Sequence, residues 1–166
     1  MSPLPQLAPL DAAEASTASD LHALLQAAYT QEAQLLELDP AQFPPLQRRV
    51  HELQTSDEAW IGAWQAGELV GALSLHADGD DEAVTCIGAL VVHPAQQRRG
   101  IATLLLHAAF SSQGAHSPFS VQTAQANAPA LALYRQAGFK EWRRWAQDMG
   151  GQRLKLIKLL RRGNRP

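Results

Sequence analysis

IGALVVHPAQQRRGIATLLLHAAF, residues 87 to 110, changes its hydrophobic period halfway along. Ile87, Ala89, Leu90, Val91 and Val92 form an apolar, partly β-branched run that stops at His93-Pro94, the pattern of a buried strand. After the polar run Ala95 to Arg99, Gly100 opens a helix in which Ile101, Leu104, Leu105 and Ala108 recur at i, i+3, i+4 and i+7. A strand that enters a helix through a tight, glycine-containing turn makes an anion site: the first-turn N–H groups lack intrahelical partners, and the helix dipole favours negative charge there. A phosphate or pyrophosphate is the expected guest. Arg98 and Arg99 add positive charge beside it, and Gly100, with no Cβ, lets backbone and ligand approach closely.

Two blocks carry a resemblance to a known family. Gln97-Arg98-Arg99-Gly100-Ile101-Ala102 resembles the Q/R-x-x-G-x-G/A signature of the GNAT superfamily of N-acetyltransferases, in its required place between strand and helix. Downstream, Asn127 to Phe139 (NAPALALYRQAGF) is similar to that superfamily's N-x-x-A-x-x-L-Y-x-x-x-G-F segment. The resemblance implies a mixed α/β (α+β) fold of GNAT type: a central, mostly antiparallel sheet, splayed at one parallel strand pair and flanked by helices.

The rest of the chain fits that order of elements. Length and composition suit one domain spanning residues 1–166, with Met1 to Gln6 expected to be disordered and Leu7 to Leu10 an edge strand. Ser19 or Asp20 is expected to cap a helix striped by Leu21, Leu24, Leu25 and Ala28, which Gln31 to Leu38 extends or restarts before Asp39-Pro40. Pro44-Pro45 is expected to open a second helix, with Leu46, Val50 and Leu53 buried. Strands follow at Ala59 to Trp64, Leu69 to His76 and Thr85 to Val92, as an antiparallel meander. Gly114 ends the central helix and Phe119 to Thr123 makes a strand parallel to Thr85–Val92, because a crossover helix separates the two. A helix at Ala128 to Ala137 closes at Gly138, and strands at Trp142 to Gln147 and Leu154 to Leu160 complete the domain. The basic tail from Arg153 to Arg165 reads as a strand with one wet face.

Bulk properties narrow the partners. A net charge of −2 gives no reason to expect nucleic acid or an anionic membrane. The single cysteine, Cys86, excludes an internal disulfide framework and a cysteine-rich zinc site, and no metal site is expected. It reads as a core residue. With neither a signal-like start nor an 18-residue apolar run, a cytoplasmic location is the simplest expectation. Gly62 to Gly67 has phosphate-loop spacing but Glu68 where lysine is required, and His51-Glu52 lacks the second histidine of a metalloprotease helix.

The resemblance also implies a chemistry. Acetyl-CoA is the co-substrate and an amine, on a small molecule or a protein, is the acceptor; a homodimer is left open. The pantetheine arm would lie along Leu90, Val91 and Val92, pairing as an added strand. The pyrophosphate would sit on the turn formed by Gln97, Arg98, Arg99, Gly100, Ile101, Ala102 and Thr103. Asn127 would cap its helix and contact the cofactor, and Tyr134 would contact it and offer the departing thiolate a proton or a hydrogen bond. The strand amide of Leu90 or a near neighbour would hold the oxyanion. Many members place a glutamate on this strand to deprotonate the amine, but Gly88 and Ala89 stand there, leaving His76, Glu82, Glu68 and His93 as candidates. Among Trp60, Trp64, Trp142 and Trp145, most are expected to pack, with room for some to wall the acceptor pocket. The alternatives are a non-catalytic acyl-CoA sensor and, from a different class, a nucleotide-phosphate binder using the same turn.

Overall fold

The computed structural model describes residues 3–114 and 116–163. Its strands are β1 (Gln6–Leu10), β2 (Ala59–Gln65), β3 (Glu68–Ala77), β4 (Thr85–Val92), β5 (Phe119–Ala124), β6 (Lys140–Met149) and β7 (Gln152–Arg161). They form one sheet in the order β1-β2-β3-β4-β5-β7-β6, antiparallel throughout except for the parallel pair β4–β5. That pair is joined by helix α3 (Ile101–Gln113), bounded by Gly100 and Gly114. Met1 and Ser2, where the disordered segment was expected to start, lie outside the described residues, as do Asn164 to Pro166. Pro3 is already tied down, its carbonyl accepting from the Gln65 side chain at 2.8 Å.

Each face of the sheet is covered by a helix with a complementary stripe. Helix α1 (Ala15–Leu35) sets Leu21, Leu24, Leu25 and Ala28 against Trp60, Ala72, Ala89 and Val91. On the opposite face, α3 sets Ile101, Leu105 and Leu106 against Leu73, Ile87, Phe119 and Val121. Fully burying each such large side chain contributes about 1.5–3 kcal/mol, so these two stripes lock the helices to the sheet.

Two expectations need correction here. Helix α1 begins at Ala15, four residues before Ser19, because Glu14 stands at its N-cap and its carboxylate accepts the hydroxyls of Ser16 and Thr17. The helix expected from Pro44 is split into a 3-10 turn (Pro44–Gln47) and a short helix α2 (Val50–Thr55). Arg48, between them, is extended, and its guanidinium pairs with Glu58 and lies 5.9 Å from the Trp60 ring centre.

The basic tail differs too. Lys158 of β7, expected on a wet face, is only 2% exposed. The acidic loop after β3 folds over it, so that its ammonium donates to Asp78 at 2.8 Å and Asp80 at 2.7 Å. Ser120 of β5 donates to the other Asp78 oxygen.

Candidate active site

The two parallel strands start together and then part. Thr85, Cys86 and Ile87 pair with Phe119, Ser120 and Val121, but no later residue of β4 or β5 has a partner in the other strand. On its other edge β4 stays bonded to β3, with one extra residue, Gly88, between the pairs Leu75↔Ile87 and Ser74↔Ala89. Such a bulge bends the strand. A Cβ at Gly88 would come within 2.9 Å of Ser74 Oγ and the His76 ring, so any larger residue there would have to displace those side chains.

The divergence opens a cleft of about 900 Å³ between α1, β4, β5, the β4–α3 turn, the start of helix α4 (Ala128–Gln136) and the β6–β7 hairpin. Along β4 the peptide groups that face β5 lack a strand partner. Unpaired N–H and C=O groups in a row can receive an amide-bearing chain as a further strand would.

At one end the cleft meets the N-terminus of α3. Gly100 is left-handed (φ 76°), and a side chain there would point into open space. Arg98 is also left-handed (φ 64°), an unusual conformation for a residue with a Cβ. The turn is braced by Gln97, whose amide donates to Gln31 of α1 at 2.5 Å and to the Val92 carbonyl at 3.4 Å. First-turn amides of a 13-residue helix facing open space, with Arg98 beside them, suit an anion.

Side chains crowd the middle of the cleft. Asn127 caps α4, its Oδ1 accepting from the Ala130 amide at 3.3 Å, while its Nδ2 donates to Glu32 Oε1 on α1 at 2.8 Å. Tyr134, two turns further along α4, is 6% exposed and packs edge-on against Phe139. Burial lifts the Tyr134 phenol well above its ordinary value, helped by Tyr29 and Glu32, so it stays protonated at any working pH. Tyr29 is lifted in the same way, by burial and then by Glu32. Burial also raises Glu32 above the usual carboxylate range, and the Asn127 amide offsets only part of that rise. An apolar group of side chains, Leu35, Phe43, Pro44, Met149 and Leu154, lines the far end.

Of the residues singled out from sequence, Leu90, Val91, Val92, Gln97, Arg98, Gly100, Ile101, Ala102, Thr103, Asn127 and Tyr134 all border this cleft. Arg99 does not; it lies on the opposite side of the turn, near Pro3 to Pro5. None of the base candidates His76, Glu82, Glu68 and His93 lines the cleft. His93 instead accepts from the Ala95 amide at 3.1 Å and caps the turn. Nor does a tryptophan wall it: Trp60 is buried under α1, while Trp142 and Trp145 flank the Arg143 guanidinium on β6. What the motif reading missed is Glu32. The available signal was the α1 stripe itself, because Leu21, Leu25, Ala28 and Glu32 continue one helical face and end it on a carboxylate.

A mixed sheet opened at its one parallel pair, beside the N-terminus of a crossover helix, defines a class of acyl-group transferases by architecture. A family model for the acetyltransferase (GNAT) family matches residues 19–139, and the chain belongs to that family, whose co-substrate is acetyl-CoA. Solved structures share the fold across nearly the whole chain. The ribosomal-protein-S18-alanine N-acetyltransferase of Escherichia coli superimposes with a TM-score of 0.69 at 16% identity, covering 98% of this chain and 96% of that one. The Salmonella typhimurium protein yncA, solved with its cofactor acetyl-CoA, gives 0.70 at 15% identity over 98% and 95%. An acetyltransferase from Thermus thermophilus gives 0.71 at 20% identity over 98% and 99%. In sequence, the chain is 34% identical over 128 residues to the UPF0157 protein YqkA of Bacillus subtilis (strain 168), matching 77% of this chain and 36% of that protein. The chain thus spans about a third of the length of this curated relative. Among the described residues, no helix is long and apolar enough to cross a membrane.

Proposed function

We propose that this chain, as a single domain, transfers the acetyl group of acetyl-CoA to a primary amine by direct attack on the thioester. The observation that carries the reading is the parting of β4 and β5 beyond Ile87 and Val121, in line with the open α3 N-terminus at Gly100. Pantetheine amides pair with the β4 edge along Leu90, Val91 and Val92, and the diphosphate rests on the turn amides beside Arg98. Arg99, on the far side of the turn, contributes only long-range charge. This arrangement sets the thioester at the Gly88 bulge, where a strand amide, that of Leu90 or a near neighbour, stabilises the tetrahedral oxyanion.

The amine attacks as the neutral base, the carbonyl π pair moves to oxygen, and collapse expels the CoA thiolate. Tyr134 is too weak an acid to give its proton away for good, because burial holds it well above the ordinary phenol value. It hydrogen-bonds the thiolate and relays to it the proton that the new amide nitrogen sheds. The apolar acceptor end around Phe43, Met149 and Leu154 favours an amine, on a small molecule or a peptide, with apolar groups near the nitrogen.

A competing reading, a sensor that binds acyl-CoA without turnover, draws on the missing carboxylate of β4 and on Gln122, a non-basic side chain lining the cleft from β5. Calorimetric titration with CoA, together with thiol release from acetyl-CoA against a panel of primary amines, decides between them. CoA binding with amine-dependent release supports the transferase; binding with no release from any amine supports the sensor. Protection from thermal unfolding by ATP but not by CoA defeats both, since saturating ligand at 100 times its dissociation constant should add about 2.7 kcal/mol.

A further inference from the structure

The transferase reading leaves one requirement unmet. A primary amine with a pKa near 10 reaches the cleft as ammonium at neutral pH and must lose a proton before it can attack. Neither the β4 strand nor the four residues suggested by sequence supplies an acceptor inside the cleft. Among the described residues lining it, Glu32 is the only carboxylate, and no histidine or lysine joins it. We propose that Glu32 of α1 is the catalytic base of this enzyme, taking the ammonium proton of the acceptor as it enters between Tyr134 and the apolar end of the cleft.

The placement follows from the fold. Glu32 continues the buried stripe Leu21, Leu25, Ala28, so α1 packing directs it toward the sheet. Its Oε1 accepts from Asn127 Nδ2 at 2.8 Å, which ties it to the first turn of α4, the helix that carries Tyr134. Among the described residues the Asn127 bond to Oε1 is the one hydrogen bond to this carboxylate, which leaves Oε2 to an incoming N–H. No cation neutralises the carboxylate, as no ion pair involving it forms among the described residues. An ammonium is the partner that a partly buried, unpaired carboxylate lacks.

The titratable and charged groups around Glu32 are few. On α1 the nearest is Tyr29, itself close to the Arg48–Glu58 pair. On α4 it is Tyr134, and on the β4–α3 turn it is Arg98, across the cleft. The lining parts of β5 and of the β6–β7 hairpin present only neutral groups, Gln122, Thr123, Gln147, Met149 and Leu154. Both phenols keep their protons, so Glu32 is the group that changes charge in the range where the amine is ammonium.

The step balances without another reactant. One ammonium proton passes to Glu32, the freed lone pair forms the C–N bond, and the C–S bond breaks. The second nitrogen proton reaches the thiolate through Tyr134, giving CoA as the free thiol, and Glu32 then returns its proton to water.

The proposal rests on the transferase reading, and its test separates the two. The native chain and its Glu32→Gln, Glu32→Asp and His76→Gln variants are assayed for thiol release from acetyl-CoA. The acceptors are phenethylamine, spermidine and an alanyl-leucyl peptide, from pH 6 to 10, with CoA affinity measured alongside. In the native enzyme kcat/KM should level off once Glu32 is ionised. In Glu32→Gln it should fall about 100-fold or more near pH 7. It should then climb tenfold per pH unit toward native activity as the amine deprotonates unaided, with CoA affinity kept. Glu32→Asp should restore part of the plateau and His76→Gln all of it. A purely structural glutamate would lower activity equally at every pH or weaken CoA binding. That result, or loss of the plateau in His76→Gln instead, overturns the assignment. Native protein that binds CoA and acetylates none of the amines refutes the transferase reading itself.

Discussion

The strand pair β4–β5 ends in opposite ways. At the end where it is bonded, from Thr85 to Ile87, a buried lysine meets two aspartates, Lys158 with Asp78 and Asp80, and Ser120 donates to the second oxygen of Asp78. At the end where it parts, the partly buried carboxylate of Glu32 meets a single amide, that of Asn127. Charges out of water are costly unless matched, so the first arrangement is complete and seals the sheet, while the second remains open to a cation. A charge with all its partners supports structure; a charge with too few invites a ligand.

Substitutions can break that contrast from either side, and the sealed end should give the largest response. Lys158→Met leaves Asp78, 4% exposed, without its counter-ion, and is expected to cost about 3–5 kcal/mol in chemical denaturation. The residual folded protein should still bind CoA. At the open end, Gly100→Glu forces a side chain into the left-handed position and a carboxylate into the proposed diphosphate site. CoA affinity in calorimetry should drop about 100-fold, near 2.7 kcal/mol, and undiminished affinity would count heavily against the turn as the phosphate site. Tyr134→Phe keeps the packing on Phe139 but removes the proposed relay, so kcat should fall by roughly tenfold to hundredfold with little change in stability.

The mildest effect is the pH dependence of stability at the sealed end. Burial alone would raise Asp78, but the Lys158 ammonium, the Ser120 hydroxyl and the Asp80 amide outweigh it and bring the carboxyl down to about 2, against 3.8 when exposed. A depressed carboxyl stabilises the fold above its exposed value and ceases to do so as pH falls through its folded one. Thermal stability should therefore hold down to about pH 4 and decline toward pH 2. Asp78→Asn should flatten that part of the curve while lowering stability at neutral pH.

How much of this was legible in the chain differs between the two ends. The β4–α3 unit was readable because period, proline and glycine act over a few residues: β4 is found at Thr85–Val92 and α3 at Ile101–Gln113, as their patterns require. The buried state of Lys158 was not readable, since its alternation with Leu and Ile is that of any half-wet strand. Only a loop 80 positions earlier, carrying Asp78, gives the ammonium its partners. The split between Pro44–Gln47 and α2 was hidden for a similar reason, as Arg48 is drawn to Glu58, which follows α2 in the chain.

By itself the sequence determined the family, the order of elements and the backbone-built turn at Gly100, because local period and short-range backbone geometry are written in contiguous residues. Tertiary structure alone brought Glu32 into the cleft beside the residues of the motifs. Glu32 and Asn127 stand 95 positions apart and touch because α1 and the β5–α4 turn converge where β4 and β5 separate. Neither residue's neighbours in the chain encode that meeting, which depends on the packing of a whole sheet between them.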